Sequence, residues 1–472
     1  RVLTRATVCD DYLLKDHRAR YLLSIVEGDE APAATSVRDD NAASAADEGE
    51  VLIGVCYVDA AAGAITVGEF VDDYRRAGVE KLLAYLRPPE ILVDGSRPAS
   101  ERLSGLLRWA GDAEGTDVVR VSGGFSTMSP ARLHQYLGGA AAGSSAEGQR
   151  QQLHRFFADR GHVLAAQAMG ACADYLAALK VDAEVLSMGN FTLLPSPRDE
   201  LPGSDVSSAS DACSGSAPGG SLLALRRPVE GGYDPAVEPR AHMVLDAASL
   251  LNLEVLECGA DRSEGGALIS FVDRAVSSGG KRLLRRWLAE PLLDSAAIND
   301  RFNAIDYLHA ADDASGTLLS ELRAQLSQLP DLTRALAKTH AAATVADNAV
   351  MFDDTNKRRV KEFTTLLGGL RSALDILDSV SLDIASRRDS TDADAAPRRL
   401  EWLVTSGAGV PDGAAARLSW FFDGAFDYAA ARKDGALFLR PGAVQSYDAR
   451  KQAVADVEAR LNQELAKHKS AL

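Results

Sequence analysis

Basic residues are in short supply: 51 Lys and Arg against 67 Asp and Glu leave a formal charge of −16. A chain with that balance repels duplex DNA in bulk and lacks the broad basic footprint that neutralises many phosphates, so any nucleic-acid contact must be local. Cysteine is scarce as well. The five present, Cys9, Cys56, Cys172, Cys213 and Cys258, are odd in number and form no CxxC pair, which argues against a disulfide framework or a zinc ribbon and leaves free thiols, some of them core filler. No apolar run approaches the ~18 residues of a membrane span, and residues 1–5 lack the apolar stretch of a secretory signal, so no membrane is expected among the partners. The histidines, among them His17, His134, His154, His162, His242 and His340, make no HxxxH or Ser/His/Asp constellation and read as surface or core side chains rather than ligands.

Apolar weight is present in quantity. With 472 residues, 46% hydrophobic and 25% charged, the chain can bury a substantial core spread over two to four domains. Four stretches break the pattern: 27–50, acidic and Ala-rich; 138–148, small residues only; 195–220, rich in Ser, Pro, Gly and Asp; and 386–397, without helical period. They read as loops or linkers. Val51-Leu52-Ile53-Gly54-Val55-Cys56-Tyr57-Val58 is apolar on both faces, as a strand covered on both sides would be. A turn ending at Gly63 leads to a second strand over 64–70, completing a hairpin. A helix around 73–86, the triplet Ile91-Leu92-Val93, a helix around 100–109 and the strand-like Val118-Val119-Arg120-Val121 complete a mixed α/β sheet domain. From about Met243 strand signals vanish. Ile298, Phe302, Ile305 and Leu308 recur at helical spacing behind Asp294, an N-cap, and predict a helix lying against a core. The last helix, from about 447, keeps only Val454, Val457, Leu461 and Leu465, a narrow seam suited to one long partner helix.

Several segments carry a resemblance. Met243-Val244-Leu245-Asp246-Ala247-Ala248-Ser249-Leu250-Leu251-Asn252-Leu253-Glu254, then Phe271-Val272-Asp273-Arg274, Gly280-Lys281-Arg282-Leu283-Leu284-Arg285-Arg286-Trp287-Leu288, Pro291-Leu292 and Ile298-Asn299-Asp300-Arg301 with Ala304-Ile305 run in the order and spacing of the MutS family of DNA mismatch repair proteins. Gly54-Val55-Cys56-Tyr57-Val58-Asp59 with Gly63 and Gly68-Glu69-Phe70 is similar to the opening hairpin of the family's connector, and Leu329-Pro330-Asp331-Leu332 to a helix junction of its lever. Val185-Leu186-Ser187-Met188-Gly189-Asn190-Phe191, Tyr175-Leu176, and Phe426-Asp427 with Ala431-Arg432-Lys433-Asp434-Gly435 most resemble the eukaryotic homologue 6-type branch. Leu3-Thr4-Arg5-Ala6-Thr7 is similar to the close of the mismatch-binding domain, with Ala6 where the family has Gly. A glycine needed there for positive φ would imply a different turn in this chain.

The resemblance implies an RNase H-like mixed-sheet connector over 21–225 with a linker at 195–220, preceded at 1–20 by the tail of the mismatch-binding domain. A long-helix lever domain over 226–472 would follow, ending at the start of the clamp. It implies a part of a mismatch recognition ATPase, coupling DNA binding to a nucleotide site, in the nucleus. Mismatched duplex DNA and a MutS homologue 2-type subunit would be its partners, and ATP and Mg would belong to the longer parent. Arg1 is not Met and a helical pattern runs to the last residue, so both ends read as cut. The aromatic wedge of the reader would precede Arg1 and the ATPase would follow Leu472. No residue of the segment is expected to catalyse a reaction. Lys467 and Lys469 stand where the family's clamp begins, a possible approach to the DNA backbone, with a solvated helix end as the plain alternative. A meiotic-type MutS clamp subunit and a helical protein-interaction scaffold that never meets DNA are the competing readings.

Three local patterns need weighing. Lys281, Arg282, Arg285 and Arg286 oppose Leu283, Leu284, Trp287 and Leu288 on one helix; the basic face could touch phosphate, but it reads more readily as a solvated face pairing with nearby carboxylates than as a DNA site. Ser278-Gly279-Gly280-Lys281 looks like a phosphate loop, but GxxxxGK[ST] requires Gly at Ala275 and Ser or Thr at Arg282, so the segment reads as a helix start. Asp59, Glu69, Asp72 and Asp73 in an RNase H-like sheet raise a two-metal nuclease, whose carboxylates must converge on ions ~3.5–4 Å apart. Acidic residues at strand ends without metal are the commoner case.

Overall fold

The computed structural model describes residues 4–8, 17–30, 50–137, 144–158, 162–194, 242–243, 245–261, 263–315, 318–344, 353–388, 397–406, 410–411 and 413–471. The chain divides into two compact units, Arg1–Val345 with Asp392–Trp402, and Ala346–Thr391 with Leu403–Leu472.

In the first unit β1 (Leu22–Glu30), β2 (Val51–Asp59) and β3 (Ala64–Asp72) form an antiparallel meander. After α1 (Ala77–Leu86), β4 (Glu90–Asp94) pairs parallel to β1, and after α2 (Glu101–Glu114), β5 (Asp117–Val121) pairs parallel to β4. The helices α3 (Pro130–Leu137), α4 (Ser144–Ala158), α5 (Val163–Ala178) and α6 (Asp182–Leu186) follow, and β6 (Asn190–Leu193) joins the edge, parallel to β3. The sheet order is β5-β4-β1-β2-β3-β6. A three-strand meander continued by two parallel strands is the expected RNase H-like arrangement, and β6 extends its edge.

Alternation sorts the strands between two cores. Val51, Ile53, Val55 and Tyr57 join Leu82, Leu83 and Leu107 of α1 and α2, while Cys56 and Val58 join Ala165, Met169 and Cys172 of α5 on the other face. Helices on both faces explain why β2 is apolar throughout. The α5 helix is Ala-rich for a reason of space: Ala165, Ala168, Ala171 and Ala173 are buried, and at Gly54 of β2 an added Cβ would lie 2.3 Å from the Leu164 carbonyl carbon. Ala6 is buried at 1% exposure and is not a positive-φ residue, so the turn needs no glycine there.

The sequence breaks are shorter than expected. The strand β1 runs to Glu30, inside the acidic stretch, and α4 begins at Ser144, inside the small-residue stretch. The linker at 195–220 lies outside the described residues, as do Cys9 and Cys213.

Every named element after β6 is helical. The first unit adds α7 (Ala247–Asn252), α8 (Leu268–Val272), α9 (Ser278–Ala289), α10 (Ser295–Ser315), α11 (Leu318–Gln328) and α12 (Leu332–Thr344). Asp246 caps α7 by accepting from Ser249 N at 2.6 Å. The expected orientation of α10 is wrong. Phe302 and Ile305 are 59% and 52% exposed, and the inward residues are Ala297, Asp300 and Tyr307. The reason is polar: the Asp300 carboxylate accepts from Arg398 N at 3.1 Å and Arg399 N at 3.0 Å. These are first-turn amides of α14 (Arg398–Val404). Capping that helix turns the carboxylate side inward and the apolar stripe out.

The second unit holds α13 (Asp353–Arg388), α15 (Ala414–Ser419), a π-helical turn Trp420–Ala425, α16 (Tyr428–Asp434) and α17 (Gln445–Ala471). Phe426 packs with Leu367 of α13, and Asp427 caps α16 by accepting from Ala430 N at 3.0 Å. Gly435 ends α16 at φ 67° with a hypothetical Cβ only 3.0 Å from the Lys357 carbonyl oxygen, which accounts for glycine there. The α17 seam is exposed along its length, Val454, Val457, Leu461 and Leu465 included.

Replacing Gly54 by Ala forces β2 and α5 apart, because the clash is with backbone rather than a movable side-chain end. Urea unfolding of Gly54→Ala should show a loss of about 3 kcal/mol or more. A loss under about 0.5 kcal/mol would show that α5 can shift freely.

Candidate functional site

The first unit carries its densest polar chemistry where α9 and α12 meet the segment entering β1. Ser277 caps α9 by accepting from Gly280 N at 3.2 Å, so Ser278-Gly279-Gly280-Lys281 is the first turn of a helix, as expected. These residues do not fit a nucleotide phosphate loop: Ala275 and Arg282 stand where its glycine and its Mg ligand would be.

The orientation of α9 departs in part from the expected one: Leu284 and Leu288 are half-buried, Leu288 against the Leu250 cluster, but the rest of the apolar face is turned out. Leu283 and Trp287 are 39% and 38% exposed, whereas the Arg282, Arg285 and Arg286 side chains are 20%, 17% and 18% exposed. Carboxylates waiting inside pull the basic face inward. Arg282 grips Asp331 with two bonds, Nη1 to Oδ2 at 2.6 Å and Nη2 to Oδ1 at 2.9 Å, and also donates to the His17 carbonyl at 3.3 Å. Asp331 holds a second guanidinium, Arg334 Nε at 3.6 Å, and Arg334 donates to the Arg18 carbonyl at 2.6 Å. Burial pushes the Asp331 carboxyl up, but the Arg282 guanidinium outweighs it and leaves the pKa below the ordinary value. Glu264 takes both Arg285 and Arg18 at 2.7 Å. Outside the helix, Trp287 is covered by the Arg301 guanidinium, 3.7 Å from its ring centroid.

Further links surround this centre. Arg87, just past α1, pairs with Glu257 after α7. Ser187 after α6 hydrogen-bonds His340 Nε2 of α12 at 2.7 Å. Glu290, at the end of α9, is 3% exposed with Arg286 Nε at 3.5 Å. Lys81 of α1 is buried too, its pKa lowered by burial and held up by Glu290.

The four carboxylates weighed as a metal centre are engaged elsewhere. Asp59 accepts from Ala61 N and Ala62 N, Glu69 from Ala165 N, Asp72 from Gly78 N and Val79 N, and Asp73 from Ala77 N. Burial raises the pKa of Asp59 and of Asp72 while these N–H groups oppose it. They are turn and helix caps, and among the described residues no group of His, Cys, Asp and Glu is arranged to hold a metal ion. His162 stacks on Phe156 at 4.2 Å, a core histidine. Lys467 and Lys469 are exposed near the end of α17, and Lys467 Nζ pairs with Glu464 at 2.6 Å.

Two family models match the chain: MutS domain II over residues 41–188 and MutS domain III over residues 248–415. Together they cover about two thirds of it. The chain belongs to the MutS family. The DNA mismatch repair protein MSH6 of Arabidopsis thaliana is 26% identical over 100% of this chain and 33% of its own length. Msh6 of Homo sapiens is 26% identical over 97% of this chain and 32% of its own length. MSH7 of Arabidopsis thaliana is 31% identical but over only 29% of this chain and 12% of its own length. The chain thus spans about a third of the length of the curated Msh6 relatives it matches along its whole course.

In MutS terms domain II, the connector, meets domain III, the lever portion, beside this charged centre. Arg87 and Ser187 lie in the domain II match, and Glu257, Arg282, Asp331 and His340 in the domain III match. The basic run of α9 was visible in sequence, but its partners were not, since Asp331 and Glu264 have no local relation to it. One signal was available: Asp331 stands in the Leu329-Pro330-Asp331-Leu332 junction.

Asp331→Ala strips two guanidiniums of their anion and should destabilise the first unit by about 1–3 kcal/mol in urea melts. Because the folded pKa is depressed, the stabilisation by Asp331 is present above the unfolded value near ~3.9 and is lost as pH falls through the folded value. Melts from neutrality downward should therefore show the difference between parent and variant shrinking only below about pH 4. A gap that closes near pH 6 would assign it to another group.

Proposed function

We propose that this chain is the connector and lever portion of a MutS-type mismatch recognition ATPase of the MSH6 kind, and that its work is mechanical coupling of DNA binding to the nucleotide site. The observation that carries this reading is the joint, where the Arg87–Glu257 ion pair and the Ser187–His340 bond tie domain II to domain III beside the Tyr85 packing, and the Asp331 and Glu264 clamps hold the 17–18 segment to the helical side. A polar joint of this sort exchanges partners at modest free-energy difference, which a relay between two states requires. Transmission is then a matter of which state each end favours.

On this reading the longer parent takes ATP and Mg, binds mismatched duplex DNA, pairs with a MutS homologue 2-type subunit and works in the nucleus. The segment's own side chains supply no catalytic group. Its carboxylates cap turns and helices, and its arginines hold the joint. Lys467 and Lys469 remain the residues here closest in sequence to the family's DNA-gripping clamp, and are proposed only as backbone contacts.

Two outcomes test the reading. In the full-length heterodimer, Asp331→Ala should leave nucleotide-free mismatch binding within about twofold while slowing ATP-driven release from the mismatch by roughly fivefold or more, the size of a typical coupling free energy. Release at the parent rate would refute coupling through this joint. The 472-residue chain alone, at −16, should bind matched and G·T-mismatched duplexes weakly and equally in a competition assay. A clear preference for the mismatch would place a reader inside this chain.

A further inference from the structure

The same joint encloses a cavity that the relay does not use. It measures about 430 Å³ and lies between the 17–21 segment, the turn after α1 and the first turns of α9. Its wall includes Arg18, Arg20, Arg87, Lys281, Arg282 and Arg285, with Arg5 as a seventh cation, and no Asp or Glu among the described residues lines it. In a chain of formal charge −16 this is a strong local reversal.

Among the described residues, fewer carboxylates than cations serve this wall. Arg18 and Arg285 share the single Glu264, both on Oε1. Asp331 divides itself between Arg282 and Arg334, which does not line the cavity. Arg87 has Glu257, Lys281 has Asp273 at 3.9 Å, and Arg5 has Asp117 at 3.8 Å. Arg20 makes no ion pair or hydrogen bond with a described residue, although its side chain is half-buried. Burial lowers the pKa of Arg285 against the pull of Glu264, and the neighbouring Arg18 charge adds to the lowering.

We propose that this cavity binds a small oligophosphate, an anion with two or more linked phosphate groups. Guanidinium forks present paired N–H donors that match phosphate oxygens, and Lys281 adds a point charge. A monovalent anion would satisfy one or two of the seven cations; linked phosphates answer several at once. The volume falls in the range of small-ligand sites and the cations are gathered around one concavity, not strung along a stripe as a duplex backbone would require. Tyr85, Pro88 and Pro89 form an apolar part of the wall, room for an organic group attached to the phosphates without a requirement for one. Because the wall is built from both domain II and domain III residues, the bound anion bridges them and stabilises the joint by mass action. This inference stands on the cavity alone, and the test below reads binding by the 472-residue chain, so it succeeds or fails separately from the mismatch repair reading.

Calorimetric titration with sodium tripolyphosphate at constant ionic strength should give saturable one-to-one binding, with Arg20→Ala weakening it by about tenfold and Arg20→Glu by more. Arg20 supports no ion pair with a described residue, so both variants should melt as the parent does; an Arg450→Glu control on exposed α17 should bind as the parent. Sodium chloride reproducing the heat, absence of saturation, or unchanged binding in both Arg20 variants would each overturn the proposal. Displacement of tripolyphosphate by duplex DNA at equal phosphate concentration would overturn it too, in favour of an extended backbone site. ATP in EDTA, run alongside adenosine and tripolyphosphate, separates the sources: ATP binding more tightly than tripolyphosphate assigns a nucleotide, and ATP binding no more tightly assigns a free phosphate chain.

Discussion

Asp331 holds two guanidiniums, and each of those guanidiniums reaches a carbonyl of consecutive residues, His17 and Arg18. The entry to β1 is thereby fixed by side-chain donors from the helical half of the unit instead of by a neighbouring strand. Remove the carboxylate and three things loosen together: the start of α12, the basic face of α9 and the path of the chain into the central strand of the sheet. A bidentate pair at 16% and 20% exposure is dry enough to be directional and wet enough to avoid the full desolvation penalty of a buried pair. The orientation of α9 follows from it, since Arg282 reaches Asp331 only if Leu283 and Trp287 turn outward.

The sheet shows a related use of charge. Its topology is one that hosts nucleases, yet Asp59, Glu69, Asp72 and Asp73 are oriented by backbone N–H groups and not toward a shared ion. Each cap fixes a junction: the β2–β3 turn, the start of α5, and the start of α1. Fold and chemistry separate here, as they do wherever a common scaffold carries different sites. What the sheet supplies to the joint is position, because α1 and the turn after it bring Lys81, Tyr85 and Arg87 to the helical side.

Much of this order was legible. Strands apolar on both faces announced a sheet covered twice, and β2, β3, β4 and β5 stand where the sequence pattern put them. The all-helical character after Met243, the cap at Asp294, which accepts from Ala296 N at 3.0 Å, and the exposed seam of α17 were equally local signals. β1 was missed in part because Glu27-Gly28-Asp29-Glu30 looks like loop; Glu27 belongs in a strand only because Arg76 Nε, 2.8 Å away, and Ser100 neutralise and cap it there. The helices α9 and α10 failed for one shared reason. Periodicity tells that a helix has two faces, but which one turns inward depends on distant partners, Asp331 and Glu264 for α9 and the α14 amides for α10. Strong amphipathicity with charge on one face therefore fixes the axis of burial, not its sign.

That failure bears on how the joint works. The apolar part of the connector–lever contact, Tyr85 of α1 against the Leu250 cluster, has one best packing, and moving it would expose surface at about 25 cal/mol per Å². Charged clamps exchange more gently: when Glu264 loses Arg285 it still holds Arg18, and Asp331 released by Arg282 still faces Arg334. Each intermediate keeps its carboxylate paired, so the barrier between arrangements is the difference between two ion pairs and not the loss of one. Shared anions thus leave Arg20 without an ion pair among the described residues, and the positive charge of the cavity is the electrostatic consequence of building the joint this way.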